Sequence, residues 1–491
     1  MKKLLLILGL VSACTTVGPD YKRPNYAVPG SFRGAEETSP EDAASFGDVA
    51  WFELFQDPAL QELIRAALKN NYDVRIAAER ILEVRARLTI IKSDAYPTVD
   101  ASLAKEWNRL SRSGGPGANL PAGIDLDNEQ WSLGIGLTWE VDFWGKVRRA
   151  SEAGLAELLA SELSRRAVIQ SLVADLAVAY FELIELDAEL EITKRELESR
   201  EASLRLVTLR LEQGVSTKLE QRQAEGLVWD AAGLVPDLEQ RIEQQENLIQ
   251  LLIGDNPGDV NRGRPLLEQN REILVPAGLP SAILERRPDI RIAEENLVAA
   301  NARIGEAKAL LYPSIGLTAS GGVASRDLKD LFSTDTGFYA IKPFVTVPIF
   351  NAGRLRANVE VTESQQRQAA MDYLQTIQQA FREVSDGLIV YEKTREVRGF
   401  REKAETTLKD QVRLSELRYR GGVTGYLEVL DSKRDHLDAE LRLAQSLRNE
   451  LLSVVLLYRA LGGGWQGAEE EAATGEQVGA SGLVAAPAAK K

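Results

Sequence analysis

Over 491 residues the chain sets 59 Lys and Arg against 73 Asp and Glu, a net charge of −14, with 44% hydrophobic residues. That composition folds, its acidity argues against nucleic acid as the main partner, and the length allows two or three domains or one large elongated one. One Cys and one His exclude an intrachain disulfide and a His/Cys zinc site. A Ser-His-Asp triad would have to use His436, and a Cys-His pair Cys14 as well. Carboxylate chemistry is what remains for an enzyme, and neither a resident metal nor a bound cofactor is expected.

Lys2 and Lys3 precede the apolar run Leu4–Val11. This is a charged start followed by a short hydrophobic region, as in a signal peptide, and it is far shorter than the roughly 20 residues that span a bilayer. Val11-Ser12-Ala13-Cys14 resembles a bacterial lipobox. That resemblance implies cleavage after residue 13 and a lipid on the new N-terminal Cys14, where several acyl chains together anchor stably. Thr15 stands where Asp would favour retention in the inner membrane, so lipoprotein sorting points to the outer membrane. A plain signal peptide with an incidental Cys is the alternative.

The chain then repeats itself, a pattern to be sought before any fold is assigned. Asp73-Val74-Arg75-Ile76-Ala77 returns as Asp289-Ile290-Arg291-Ile292-Ala293, 216 residues on, and at the same offset Tyr96-Pro97 returns as Tyr312-Pro313. Gly214-Val215-Ser216 returns as Gly422-Val423-Thr424 at an offset of 208, which places a small insertion in the first half, at the Gly/Pro-rich loop Ser111–Gly123. Each half reads helix, strand, strand, very long helix, turn, helix.

The opening helices are expected near Pro58–Lys92 and Ser281–Lys308. From Val147 to Gln213 there are 67 residues with no Pro and a single Gly, a helix of about 100 Å. Its counterpart runs from Leu355 to Arg420. Leucines 190, 197, 204 and 211 fall every seven residues, and Leu374, Ile377, Phe381, Val384, Leu388 and Tyr391 step by three and four; both patterns are coiled-coil seams. Gly214 and Gly422 are placed to end the long helices in left-handed caps. Return helices follow at about Thr217–Ile253, where Pro236 should kink the helix, and at Gly425–Leu461.

Between the helices lie the strands. Trp131, Leu133, Ile135, Leu137, Trp139, Val141 and Phe143 alternate with Ser132, Gly134, Gly136, Thr138, Glu140 and Asp142, a strict period of two. Val99, Ala101, Leu103 and Trp107 form a weaker strand before it, and Ile315, Leu317 and Ala319 a third. A fourth carries Tyr339, Ile341, Val345, Val347 and Ile349, with Phe338 and Phe344 disturbing its polar face and Pro343 and Pro348 awkwardly placed. A soluble sheet fits the alternation, yet little else in the chain is there for it to cover. Aromatic strand ends and a small, polar opposite face fit a membrane barrel wall. Four strands cannot close such a barrel, and an open edge cannot stand in lipid, so a spanning sheet requires an oligomer, with eight strands from two chains or twelve from three.

These features together resemble the outer membrane factor family, the TolC-like exit ducts of tripartite efflux pumps. The resemblance is greatest to the lipoprotein branch serving resistance-nodulation-division transporters. It rests on Val17-Gly18-Pro19-Asp20-Tyr21-Lys22-Arg23-Pro24, on Trp51-Phe52 with Phe55, Asp57-Pro58 and Leu60, on Pro348-Ile349-Phe350 with Gly353-Arg354, and on Leu427-Glu428-Val429-Leu430-Asp431 with Arg434. It implies a mixed α/β membrane protein: a homotrimer whose twelve-stranded transmembrane β-barrel, four strands per chain, continues into a long α-helical coiled-coil periplasmic barrel. The implied organisation is a signal peptide (1–13), a lipidated strap (14–56), two structural repeats (57–279 and 280–465) and a disordered periplasmic tail (466–491).

The implied function is passive export across the outer membrane of a Gram-negative bacterium. Drugs and other small toxic compounds would be delivered by an inner-membrane transporter through a periplasmic membrane-fusion adaptor. Leu427 and Asp431, one helical turn apart, would line a gate that attracts cations and can dewet, with Arg434 pairing across the interface. An ordinary surface pair of Asp431 with Arg434 is the plain alternative. Gly214, Val215, Gly422 and Val423 would meet the adaptor. The first-half equivalents of Leu427 and Asp431 are Leu219 and Gln223, so one carboxylate ring is expected. A type I protein-secretion or metal-efflux duct of the same fold, or a periplasmic adaptor-like coiled-coil lipoprotein, are the competing readings.

Overall fold

The computed structural model describes residues 16–34, 45–111, 113, 121, 126–269 and 280–465. Cys14 with its signal segment, most of the Ser111–Gly123 loop and the tail beyond Trp465 lie outside the described residues. In chain order come α1 (Pro58–Asn70), α2 (Tyr72–Ser93), β1 (Thr98–Arg109), β2 (Asp127–Val141), α3 (Lys146–Glu212), α4 (Lys218–Ile253), α5 (Pro288–Ala309), β3 (Ser314–Ser325), β4 (Gly337–Thr346), α6 (Arg354–Arg420) and α7 (Tyr426–Ala460). One-turn helices at Trp51–Leu54 and Ile283–Arg286 accompany them. Contacts divide the chain into two compact units, one containing Ile81–Ser161 and Ala293–Tyr373 with the stretch up to Pro24, the other the remainder.

In the first unit the strands form one antiparallel sheet in the order β1-β2-β3-β4. The register aligns Val99 with Leu137, Leu137 with Ala319 and Ala319 with Ile341, so every odd-numbered apolar side chain falls on one face. β2 starts four residues earlier than its alternation suggests and ends at Val141. Phe143 belongs to the turn into α3, where Asp142 accepts hydrogen bonds from the backbone of Val147 and Arg148, both at 3.0 Å. β4 stops at Thr346, before Pro348, and Pro343 lies on an edge strand, where a missing donor is tolerated.

Residues 17–24 strap this unit. Val17 N–H donates to Trp144 O at 3.1 Å. Buried Arg149 on α3 donates to Val17 O and Asp20, while Tyr21 and Arg23 both reach Glu294 on α5. Gly18 has φ +105°, and a Cβ there would lie 2.4 Å from Gly305 Cα. Two glycines thus let the strap press against α5. Ala153 and Ala156 of α3 pack on Ala299 and Ala302 of α5, small residues that bring the helices close.

In the second unit the expected opening helix Pro58–Lys92 is two helices. Asn71 breaks it: its amide donates to Leu252 O, and its Oδ1 accepts from Asp73 and Val74 N–H, capping α2. The second opening helix is likewise broken at Arg287, whose extended backbone precedes Pro288, as the residue before proline favours. α4 runs through Pro236 without interruption.

Asp57, capping α1, is a buried node. It accepts from Ala59 N–H, Arg264 N–H, Gln269 and Tyr180, all within 3.0 Å. Burial alone would raise its carboxyl, but those donors hold it below the usual range. Trp51, Phe55 and Leu60 of the same motif are buried, and Phe52 is exposed.

The heptad leucines of α3 are not its buried line. Leu190, Leu197, Leu204 and Leu211 stay half-buried, while Glu185, Glu189, Thr193 and Arg200 are buried. On α6 the deepest positions are Tyr373, Ile377, Ala380, Val384 and Leu388, with Leu374 and Phe381 half-buried beside them. A seam read from large apolar residues alone misses an alanine, and it misses Glu185, Glu189 and Arg200, which find partners in Arg448, Gln445 and Glu196.

Candidate channel wall, helical tips and gate

The sheet has one apolar face, left uncovered in the single chain. Val99, Leu103, Ile135, Tyr339, Ile341 and Val345 are all exposed. From Trp131 to Val141 is ten residue steps, about 34 Å along a strand, or about 26 Å at a tilt of about 40°, which matches the apolar band of a membrane barrel. Near one end Lys105 Nζ sits 4.3 Å from the Trp107 ring and 5.3 Å from Trp131. The opposite face is small and polar. Phe338 and Phe344, which blur the pattern of the fourth strand, lie over glycines of its neighbours: a Cβ on Gly316 would meet the Phe344 ring at 2.3 Å, and one on Gly134 the Phe338 ring at 3.5 Å.

The two hairpins α3–α4 and α6–α7 turn in the same way. Gly214 has φ +75° and Gly422 φ +72°. Val215 N–H donates to Arg210 O and Gly214 N–H to Leu211 O; Val423 N–H donates to Arg418 O and Gly422 N–H to Tyr419 O. Each turn is therefore a Schellman cap. A capping box of Thr217 and Glu220 opens α4, and hydrogen bonds from Ser216 and the Thr217 N–H hold the Glu220 carboxyl low. Val215 and Val423 are left exposed at the tips. Behind them Val207, Ala224, Tyr419, Tyr426, Val429 and Leu430 form a small core drawn from all four helices.

That core fixes how α7 is rotated. Tyr426, Val429, Leu430 and Lys433 are buried, while Leu427, Asp431 and Arg434 form an exposed stripe on the other side, with Leu427 58% exposed. Within the chain Arg434 pairs with Asp431 at 3.5 Å across one turn and with Asp435 at 3.3 Å, so the plain surface pair is formed. Leu219 is exposed and Gln223 half-buried; no carboxylate stands at this place in the first hairpin.

Two groups had no signal in the sequence. Lys433, 6% exposed at its side chain, donates to Ser199 and Ser203 of α3 at 3.0 Å and pairs with Glu416 of α6 at 3.1 Å; its α3 partners are more than two hundred residues away. His436 stands between Glu405 of α6 and Glu440 of α7, and no spacing in the chain announces Glu405.

A sheet with one continuous apolar face and two helices of 67 residues in the same chain are the elements of an outer-membrane channel with a periplasmic extension. The chain belongs to the outer membrane efflux protein family, which matches residues 63–255 and again 279–463. The toluene efflux pump outer membrane protein TtgI of Pseudomonas putida is 37% identical over 473 residues, covering 94% of this chain and 97% of that protein. The cation efflux system protein CusC of Escherichia coli (strain K12) is 32% identical over 464 residues, covering 94% and 99%. Among solved structures, the open state of the Neisseria gonorrhoeae MtrE outer membrane channel superposes with a TM-score of 0.81 at 33% identity, covering 92% of this chain and 98% of that one. The outer-membrane channel OprN gives 0.83 at 28% identity, covering 92% and 100%. This is a family of transport conduits and not of enzymes.

Proposed function

We propose that three copies of this chain close a twelve-stranded barrel in the outer membrane. The barrel opens into a helical periplasmic tunnel, the passive exit duct of a tripartite efflux pump. The observation that carries this is the four-stranded sheet with one continuous apolar face and with β1 and β4 each paired on one side only. Lipid does not tolerate those edges, and neighbouring copies satisfy them. Membership of the family favours three over two. Two successive family matches, two helices of 67 residues and two like-built Gly-Val turns support duplicated halves at 57–279 and 280–465. The half-buried heptad leucines of α3 are surface left for neighbouring helices.

In this reading Cys14 carries the lipid anchor. The exposed tips Gly214-Val215 and Gly422-Val423 receive the periplasmic adaptor. The stripe Leu427-Asp431-Arg434 faces the pore, as a ring that selects cations and restricts passage. The duct has no energy source of its own, so a proton-driven inner-membrane transporter supplies the cargo. Drugs, detergents and similar small toxic compounds are the favoured cargo, supported by the similarity to TtgI, which is named for toluene efflux. A metal-cation duct is the second reading, supported by the similarity to CusC. A periplasmic adaptor lipoprotein is set aside by the family.

Single-channel conductance in planar bilayers tests the proposal, with Asp431→Ala beside the unaltered protein. A small cation-selective conductance that rises in the variant is expected. No conductance from inserted protein refutes the duct; equal conductance in both removes the gate from Asp431.

A further inference from the structure

The single histidine of the chain lands between two carboxylates contributed by two helices. His436 Nε2 is 3.4 Å from Glu405 Oε1, and Nδ1 is 3.6 Å from Glu440 Oε2. One donor atom from each of the three side chains lies within 4.8 Å of the others. All three side chains are less than one-fifth exposed. His436 and Glu440 are spaced i, i+4 and so share a face of α7, while Glu405 reaches across from α6.

We propose that Glu405, His436 and Glu440 form a binding site for a borderline divalent transition-metal ion such as Zn²⁺, which staples α6 to α7. One imidazole nitrogen with two carboxylate oxygens is a donor set such ions accept, with water completing the coordination. In a tetrahedral zinc site neighbouring donors lie about 3.4 Å apart; Glu405 now stands at that distance from Nε2, while Glu440 faces the opposite ring nitrogen and has to swing toward the ion. The wider separations close by an ångström-scale turn of a carboxylate. The sequence excludes a site built from several His and Cys, but not one His completed by carboxylates from a second helix.

The groups now facing these carboxylates do not block an ion. Lys409 approaches Glu405 at 3.9 Å and Arg195 of α3 approaches Glu440 at 2.8 Å. Both cationic side chains are more than half exposed, so releasing them to water costs little. The ion's charge then replaces theirs. His436 lies five residues beyond Asp431, about 7.5 Å along the helix, so an occupied site fixes α7 against α6 close to the exposed stripe. The binding itself is independent of what that stripe does.

The test is Zn²⁺ binding to the full-length protein in detergent after chelator treatment, by titration calorimetry, with thermal unfolding recorded alongside. One ion per protomer is expected, together with a zinc-dependent rise in unfolding temperature. His436→Ala abolishes both, and Glu405→Gln and Glu440→Gln each weaken binding by at least the roughly 10-fold that losing even an outer-shell partner costs. The glutamine variants keep side-chain size, so they answer the question even where His436→Ala folds poorly. Zinc bound equally by His436→Ala, or no binding by the unaltered protein at millimolar zinc, overturns the site.

Discussion

Ile135→Arg, set against Gly136→Arg, asks which side of the sheet meets lipid. Ile135 lies on the apolar face, 58% exposed, beside the midpoint of the stretch from Trp131 to Val141. It is level with Ala101 and Gly321 on the flanking strands. Arginine at the midplane of a membrane barrel costs about 2–4 kcal/mol, so in the proposed trimer three copies cost roughly 6–12 kcal/mol. Gly136 stands at the same depth and points the other way, and a Cβ built on it meets nothing within 4 Å. Its replacement should stay within about 0.5 kcal/mol of neutral, as for an unhindered wet position. Both variants are compared by the fraction migrating as heat-modifiable trimer in outer-membrane preparations, and by denaturant midpoint in lipid vesicles. Ile135→Arg should lose most of the folded trimer and Gly136→Arg should keep it. Equal tolerance, or the reverse order, would show that the lipid-facing side is misassigned.

Asp57→Ala should destabilise the chain by about 3–5 kcal/mol, read as a fall in guanidinium midpoint. It removes a helix cap worth about 1 kcal/mol and strands the buried donors of Tyr180, Gln269 and Arg264; a loss under about 1 kcal/mol would refute the node. Glu185, 1% exposed at its side chain and hydrogen-bonded to Glu189, is pushed up to about 7 by burial and by that neighbour, against the pull of Arg448. A raised carboxyl means that the folded state holds the extra proton. Its contribution is full below the unfolded value near 4.5 and is lost as pH rises through 7, with a slope of up to about 1.4 kcal/mol per pH unit. Stability from denaturant titrations should fall with this slope between about pH 5 and 7 and level off above, and Glu185→Gln should flatten it; an unchanged slope in the variant would place the proton elsewhere.

Much of the wall was legible because period two is unambiguous over Trp131–Val141, and the long helices because nothing between Val147 and Gln213 can stop one. The fourth strand was blurred for a reason that only register reveals: Phe344 uses space left by Gly316 of β3, and Phe338 space left by Gly134 of β2. The break at Asn71 carried a weak sign, since Asn caps helices, but the apolar period continues across it. The seam of α3 is only half-buried in a single chain, which buries Glu185, Glu189 and Arg200 instead, so its leucines do not report what one chain packs. The stripe Leu427-Asp431-Arg434 could be read from one helix. Lys433 and the Glu405–His436 approach could not, because each depends on which helices pack together.

The two unbroken helices α3 and α6 also constrain how such a protein can change. A substitution in either is felt locally, but one inserted residue turns everything beyond it by about 100° and shifts it by about 1.5 Å. The tip valines, the small core behind them and the exposed stripe would then face new directions. Seven residues added together return the helix to within about 20° of its old facing, provided its partner lengthens equally. The distance such a protein reaches from its membrane is therefore adjustable in increments of about 10 Å, set by helical phase and not by the single residue.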